Sequence, residues 1–121
     1  MDNLTIEGTD ETPKVVLDKN TGVFEISGRS LPEDTVTFYT PVMDWIREYA
    51  NEPNPTTDFA IKLDYFNTAS SKLILDILKM LAEIEGVTII WYSMEDDEEV
   101  ADAGEEFSEQ VEVPFIFKTY S

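Results

Sequence analysis

The sequence predicts an α/β domain in which helices pack on a single-layer, mixed β-sheet. Segments with the alternating pattern of a β-strand take turns along the chain with segments that have the period of an α-helix. The chain has 121 residues and 42% of them are hydrophobic, so one domain can bury a core of its own. We therefore expect residues 1–121 to form one domain.

The N-terminal part predicts three strands. A short strand covers residues 3–7, and an apolar run at 15–17 indicates the second strand. The turn sequence Lys19–Gly22 separates that run from an alternating segment, Val23–Gly28. Two strands joined by a glycine-containing turn are typical of a β-hairpin.

A first helix is predicted from Leu31 and Pro32 toward Ala50. Proline and acidic residues favour the first turn of a helix. Pro41 falls inside the helical pattern, so we expect a kink or a restart there. The segment Asn51–Pro55 ends the helix. The apolar residues that recur at helical spacing are Phe38, Val42, Trp45, Ile46 and Tyr49.

A strand, a helix and another strand are predicted next. Phe59–Tyr65 alternates as a strand, and Val87–Tyr92 is apolar enough to be a buried strand. Between them lies a strongly apolar helix from about 70 to 85, which Gly86 closes. The whole unit at 58–92 should form a right-handed parallel crossover.

An acidic helix and a last strand complete the prediction. The helix covers residues 95–110, with Val100, Ala103 and Phe107 as its inner face. The last strand is Val113–Tyr120. Residues 95–112 contain ten acidic residues and no basic residue. Such a run is usually a solvated helix face, and the alternatives are a docking surface for a basic partner and a calcium site. The spacing of an EF-hand loop is absent.

The charge and composition exclude several function classes. With 26 acidic and 8 basic residues the net charge is −18, which repels nucleic acid and anionic membrane surfaces. The chain has no cysteine and no histidine, so disulfides and thiolate or imidazole metal sites are excluded. No apolar run approaches the ~20 residues that cross a bilayer, and the N-terminus does not resemble a secretory signal. We expect a cytoplasmic protein without a cofactor.

The predicted strand-to-helix turn at 64–72 is the most informative segment. Four small hydrogen-bonding residues lie there: Asn67, Thr68, Ser70 and Ser71. One such residue is enough to cap a helix. The free N–H groups and the dipole of the helix start also favour an anion. Phosphorylation of a hydroxyl would add about −1.5 to −2 charges, with only Lys72 as a nearby positive charge.

A family resemblance lies in these same residues. The block Tyr65–Lys72, followed by Leu73–Leu78, resembles the signature of the SiaC-type regulatory phosphoproteins. These are single-domain bacterial proteins, related in fold to STAS domains and anti-sigma-factor antagonists. The resemblance extends over nearly the whole chain and includes the hairpin, the segment Phe38–Val42 and the elements after Gly86.

The resemblance implies a partner-switching role. A serine/threonine protein kinase would phosphorylate Thr68, and a PPM-type phosphatase would remove the phosphate. The unmodified protein would bind and activate a diguanylate cyclase, which links the switch to cyclic-di-GMP and biofilm formation. Ser70 and Ser71 are secondary candidates as acceptors. The partner-binding surface would comprise Asn67, Thr68, Ala69, Ser70, Ser71, Lys72 and Leu73.

Several alternatives stay open from the sequence. An anti-sigma-factor antagonist uses a similar switch on another partner. The apolar helix at 70–85 is either buried on most of its circumference or leaves an edge near Leu73 and Met80 for a partner. An acidic, metal-dependent enzyme is disfavoured, because the sequence has no phosphate-binding glycine loop, nucleophile elbow or serine–histidine pair. No catalytic residue and no metal ligand is predicted.

Overall fold

The structure is a computed structural model that describes residues 1–121. It contains six strands and three helices, in the order β1 (Leu4–Ile6), β2 (Lys14–Asp18), β3 (Val23–Ser30), α1 (Thr35–Tyr49), β4 (Thr57–Phe66), α2 (Thr68–Ala82), β5 (Val87–Met94), α3 (Glu98–Gln110) and β6 (Phe115–Tyr120). This order confirms the predicted α/β class.

All six strands form one mixed sheet, in which they are arranged in chain order from β1 to β6. β1, β2 and β3 pair antiparallel, whereas β3 to β6 pair parallel. The β2–β3 hairpin is confirmed, and Gly22 supplies the positive φ of 76° that its turn requires. The parallel pairing of β4 with β5 across α2 is confirmed as well.

The three helices cover one face of the sheet. Phe24, Phe59 and Ile89 lie side by side in the register of three neighbouring strands, and all three are buried. They belong to one core of 22 buried residues, to which every helix contributes. Lys62 and Tyr92 lie on the opposite face, where no helix packs. The domain therefore has two layers, with its core between helices and sheet.

α1 starts later than predicted. Its N-cap is Asp34, whose carboxylate accepts a hydrogen bond from the N–H of Thr37 at 3.1 Å. Pro32 therefore lies before the helix and not in its first turn. A kink or a restart is expected at Pro41, and the restart is wrong, because α1 continues through that residue. Pro41 has no backbone N–H to donate, but buried residues stabilise the helix on both sides of it. This buried stripe includes Tyr39, Val42, Trp45, Ile46 and Tyr49.

α2 buries one stripe along its length and not most of its circumference, so the first of the two alternatives is wrong. Ile74, Ile77, Leu78 and Leu81 are buried. Leu73 and Met80 are only half-buried, so a narrow apolar edge stays accessible on α2. Neither α2 nor any other helix has the length and apolar character needed to cross a membrane.

α3 is held by a close approach to Trp91. The indole Nε1–H donates to the carbonyl oxygen of Val100 at 2.9 Å. A Cβ atom at Gly104 would lie 2.4 Å from the same Nε1, so this residue must be small. Val100 and Phe107 are buried as predicted, and the acidic residues of α3 lie on its solvated side.

Candidate functional site

The predicted site lies where β4 passes into α2. Asn67 is the N-cap of α2, and its Oδ1 accepts a hydrogen bond from the N–H of Ser70 at 2.8 Å. Its own N–H donates to the carbonyl oxygen of Ser30 at 3.2 Å. The capping role is confirmed, and the second bond attaches the helix start to the end of β3.

Thr68 is the first residue of α2 and is exposed. Its hydroxyl takes part in no hydrogen bond within the chain. The N–H of Ser70 and the N–H of Ser71 are both bonded to Asn67, whereas the N–H groups of Thr68 and Ala69 have no partner in the chain. Two free donors at the positive end of the helix dipole favour an anion beside the Thr68 hydroxyl.

Ser70 is fully buried, at 0% exposure. Its hydroxyl donates to the carbonyl oxygen of Ser30 at 3.0 Å and accepts from the Ser30 hydroxyl at 2.8 Å. A kinase cannot reach this oxygen in the folded domain, and a partner cannot contact it. Ser70 is therefore removed from the predicted acceptors and from the predicted binding surface, because the helix start turns it toward β3. Ser71 is half-buried and stays at the surface.

A chain of three hydroxyl groups lies beneath the site. The Tyr39 hydroxyl is 2.6 Å from the Ser30 hydroxyl, which in turn bonds Ser70. The Ser30 hydroxyl donates its proton to the Ser70 hydroxyl, so toward Tyr39 it can only accept. The Tyr39 hydroxyl is therefore the donor in this pair. Burial raises the pKa of Tyr39 to about 12. The three hydroxyls join β3, α1 and the start of α2, and they hold the backbone under Thr68 in place.

Ser30 and Tyr39 do not stand out in the sequence as site residues. The predicted hairpin strand ended at Gly28, whereas β3 continues to Ser30. Tyr39 lies next to Phe38 in the helical pattern, and it is Tyr39 that is buried. A hydroxyl-bearing aromatic residue on a buried helix stripe was the available signal, because such a hydroxyl needs a partner.

Thr68 borders a shallow, open depression between the starts of α1 and α2, with a volume of about 630 Å³. Val36 lines this depression as an exposed apolar residue, since 62% of its surface is accessible. Glu33 and Asp34 contribute negative charge from the α1 side. Hydrogen bonding by Thr37 lowers the pKa of Asp34, which keeps this carboxylate ionised. Further lining residues are Thr35, Ala69, Lys72 and Leu73.

The structure thus brings together most of the predicted surface. Ala69 and Lys72 are exposed, and Asn67, Ser71 and Leu73 are partly exposed. Lys72 lies one helical turn after Thr68, so a phosphate on Thr68 would have one cation within reach and two carboxylates across the depression. Elsewhere in the domain, no group of three or more carboxylates is placed to bind a metal ion.

Comparisons with known proteins agree on one family. The sequence model of the SiaC family regulatory phosphoproteins matches residues 6–120. A protein of Pseudomonas aeruginosa strain UCBPP-PA14 is 31% identical over 124 residues, which span 99% of this chain and 98% of that protein.

Solved structures show the same similarity. The crystal structure of apo-SiaC from Pseudomonas aeruginosa superposes with a TM-score of 0.87 at 31% identity, covering 98% of this chain and 99% of that one. The crystal structure of the diguanylate cyclase SiaD with its activator SiaC, from the same organism, superposes with a TM-score of 0.90 at 30% identity, covering 97% of this chain and 99% of that one.

Proposed function

The chain belongs to the SiaC family of regulatory phosphoproteins, and from this premise we propose that it is a partner-switching signalling protein controlled by phosphorylation of Thr68. The observation that carries the proposal is the contrast between neighbouring hydroxyls. The Ser70 hydroxyl is buried and hydrogen-bonded to Ser30. The Thr68 hydroxyl is exposed, makes no hydrogen bond within the chain and lies beside two free N–H groups.

The switch acts through charge. Without phosphate, the surface around Thr68 offers a neutral hydroxyl, the apolar edge of Leu73 and the exposed Val36 to a partner. Phosphate adds about −1.5 to −2 charges at that point. A partner that docked against the hydroxyl would then have to desolvate a dianion, which costs several kcal/mol per buried ion. The helix start tolerates the dianion, so the modification changes docking and leaves the fold intact.

The proposed output partner is a diguanylate cyclase, which the unphosphorylated form binds and activates. The support is the complex that Pseudomonas aeruginosa SiaC forms with SiaD. A serine/threonine kinase adds the phosphate and a PPM-type phosphatase removes it, in the cytoplasm. The chain itself acts as a binding module and not as an enzyme. Through the cyclase, the switch controls cyclic-di-GMP and biofilm formation.

The docking surface in this proposal comprises the exposed part of the predicted set. Asn67 orients the turn, Thr68 carries the modification, and Lys72 supplies the one nearby cation. Ala69, Ser71 and Leu73 complete the contact area.

Mass spectrometry of the protein after reaction with its cognate kinase tests the acceptor. We expect phosphate on Thr68 in the wild type, loss of incorporation in Thr68→Ala and retention in Thr68→Ser and in the matched control Ser71→Ala. Because the Thr68 side chain makes no hydrogen bond, both Thr68 variants should keep the wild-type thermal midpoint. Incorporation at the wild-type level in Thr68→Ala would refute the assignment.

Calorimetric titration of the cyclase with unphosphorylated and phosphorylated protein tests the switch. We expect binding and raised cyclase activity with the first and at least about a hundredfold weaker binding with the second, which corresponds to ~2.7 kcal/mol. Equal affinity of the two forms would rule the switch out. Binding to an anti-sigma kinase in place of the cyclase would instead identify an anti-sigma-factor antagonist.

A further inference from the structure

β6 forms one edge of the sheet. Its pairing with β5 determines which of its backbone N–H and C=O groups point away from the sheet. The carbonyl oxygens of Pro114 and Tyr120 accept hydrogen bonds from β5 and the residue after it, at 2.8 and 2.9 Å. Even-numbered residues of β6 therefore turn their backbone groups toward β5. Because these orientations alternate along a strand, Phe115, Phe117 and Thr119 direct their N–H and C=O groups away from the sheet.

This edge has few of the features that keep a strand edge from pairing. Within Phe115–Tyr120 there is no proline, and the register with β5 shows no bulge. The only charge is Lys118, and both Ile116 and Phe117 are 48% exposed. The opposite edge, β1, is only three residues long. A long, apolar and unbulged edge is a template for an added strand.

An acidic ridge of α3 flanks this edge. Glu99 and Ala103 line a recess with Phe66 of β4, so that side of α3 faces the middle of the sheet. The other flank of the helix therefore faces the β6 side. Two exposed glutamates, Glu98 and Glu105, lie two helical turns apart on that side of α3. We call these two residues the α3 ridge.

We propose that the β6 edge binds an extended, basic segment of a partner protein, which adds a seventh strand to the sheet. On the helix side, its alternate Lys or Arg side chains lie over Phe117 and meet the α3 ridge, where an aromatic face and carboxylates both favour a cation. On the other side, its apolar residues pack beside Ile116. This surface shares no residue with the depression at Thr68.

Charge selects this occupant over a second copy of the chain. Each copy carries a net charge of −18, and pairing of two β6 strands would bring two α3 ridges toward each other. A basic segment gains the same backbone hydrogen bonds with attraction in place of repulsion.

The test uses the full chain and a capped peptide of four Lys-Val repeats, with a capped peptide of four Glu-Val repeats as its counterpart. Fluorescence anisotropy measures the Kd, and amide chemical shifts locate the site. We expect the basic peptide to bind, to shift the amides of Phe115, Phe117 and Thr119, and to lose affinity with added salt. The acidic peptide should bind at least about tenfold more weakly.

Two matched variants separate backbone pairing from mere charge attraction. Thr119→Pro removes one outward N–H at a position where an edge strand tolerates proline, and Thr119→Ala removes only the side chain. We expect Thr119→Pro to weaken peptide binding by about tenfold and Thr119→Ala by less than about twofold, with unchanged far-UV circular dichroism for both. Glu105→Gln should weaken binding and reduce its salt dependence.

Three results would overturn the proposal. Equal effects of Thr119→Pro and Thr119→Ala would show that no strand is added. Equal binding of the two peptides would remove the charge argument. A dimer in sedimentation equilibrium that Thr119→Pro dissociates would show that a second copy occupies the edge.

Discussion

Ser70→Ala tests whether the buried hydroxyl chain stabilises the domain. The substitution removes two hydrogen bonds, from Ser70 to the Ser30 carbonyl and from the Ser30 hydroxyl to Ser70. The bond donated by Ser70 contributes about 1 kcal/mol net. The Ser30 hydroxyl, which is 0% exposed, is then a buried donor without an acceptor, and this costs about 1–3 kcal/mol more. We expect a total loss of about 2–4 kcal/mol.

Urea and thermal unfolding measure this loss. Unfolding entropy of about 2.1 cal/mol/K per residue gives roughly 0.25 kcal/mol/K for a chain of this length, so the thermal midpoint should fall by about 8–16 °C. Ser71→Ala is the matched control, because Ser71 is half-buried and its hydroxyl bonds nothing in the chain. It should stay within about 0.5 kcal/mol of the wild type.

A second pair of variants tests whether Tyr39→Phe changes from destabilising to stabilising when Ser30 is replaced. Ser30→Ala leaves the Tyr39 hydroxyl buried without its acceptor. Adding Tyr39→Phe to that variant removes the unpaired group and should recover about 1–2 kcal/mol, whereas Tyr39→Phe alone should cost about 1 kcal/mol. If Ser70→Ala lies within about 0.5 kcal/mol of the wild type, or if Tyr39→Phe has the same effect in both backgrounds, the hydroxyls do not form a dry, coupled chain.

Three further predictions concern the helix starts, the α3 contact and pH. Asn67→Ala should lower the free energy of unfolding by about 1 kcal/mol in urea titration, and Asn67→Asp by much less, since either Asn or Asp can cap α2; equal losses would contradict the cap. Gly104→Ala should cost about 1–3 kcal/mol and alter the fluorescence and near-UV spectrum of Trp91, because the added Cβ collides with the indole; an unchanged spectrum and midpoint would disprove the close approach. The pKa of Tyr39 is raised to about 12 from its usual value of 10, so the folded state keeps this proton longer than the unfolded state. The stability that this difference contributes is complete below pH 10 and is lost as pH rises to about 12. The free energy of unfolding of Tyr39→Phe should therefore fall less than that of the wild type between pH 10 and 12. Identical slopes of the free energy of unfolding against pH would refute this prediction.

Much of the fold could be predicted because its signals are local. Alternation along Phe59–Tyr65 and the turn at Lys19–Gly22 each depend on residues close together in the chain, and both elements form as predicted. The start of α1 does not follow from local signals alone, since Pro32 and Asp34 lie within three positions and either residue can mark a helix start. The cap at Asp34 prevailed because its carboxylate bonds the N–H of Thr37.

The candidate site could be predicted only in part. The exposed Thr68 and the capping Asn67 follow from a strand-to-helix turn that is visible in the sequence. The different positions of Thr68 and Ser70 do not follow from it, because both are small hydroxyl residues on one helix turn. Which of them is buried depends on Ser30, which lies 40 residues before Ser70 in the chain.

The sequence by itself determined the element order, the acidic charge and the polar turn, since periodicity, composition and capping act over a few neighbouring residues. Tertiary structure alone decided that Ser70 is buried beside Ser30 and Tyr39, that Gly104 must fit against Trp91, and that Phe117 directs its backbone outward at an edge. The physical reason is that burial and hydrogen-bond pairing depend on which distant segments meet. Which segments come into contact is determined by the packing of the whole core and not by the sequence pattern of any one segment.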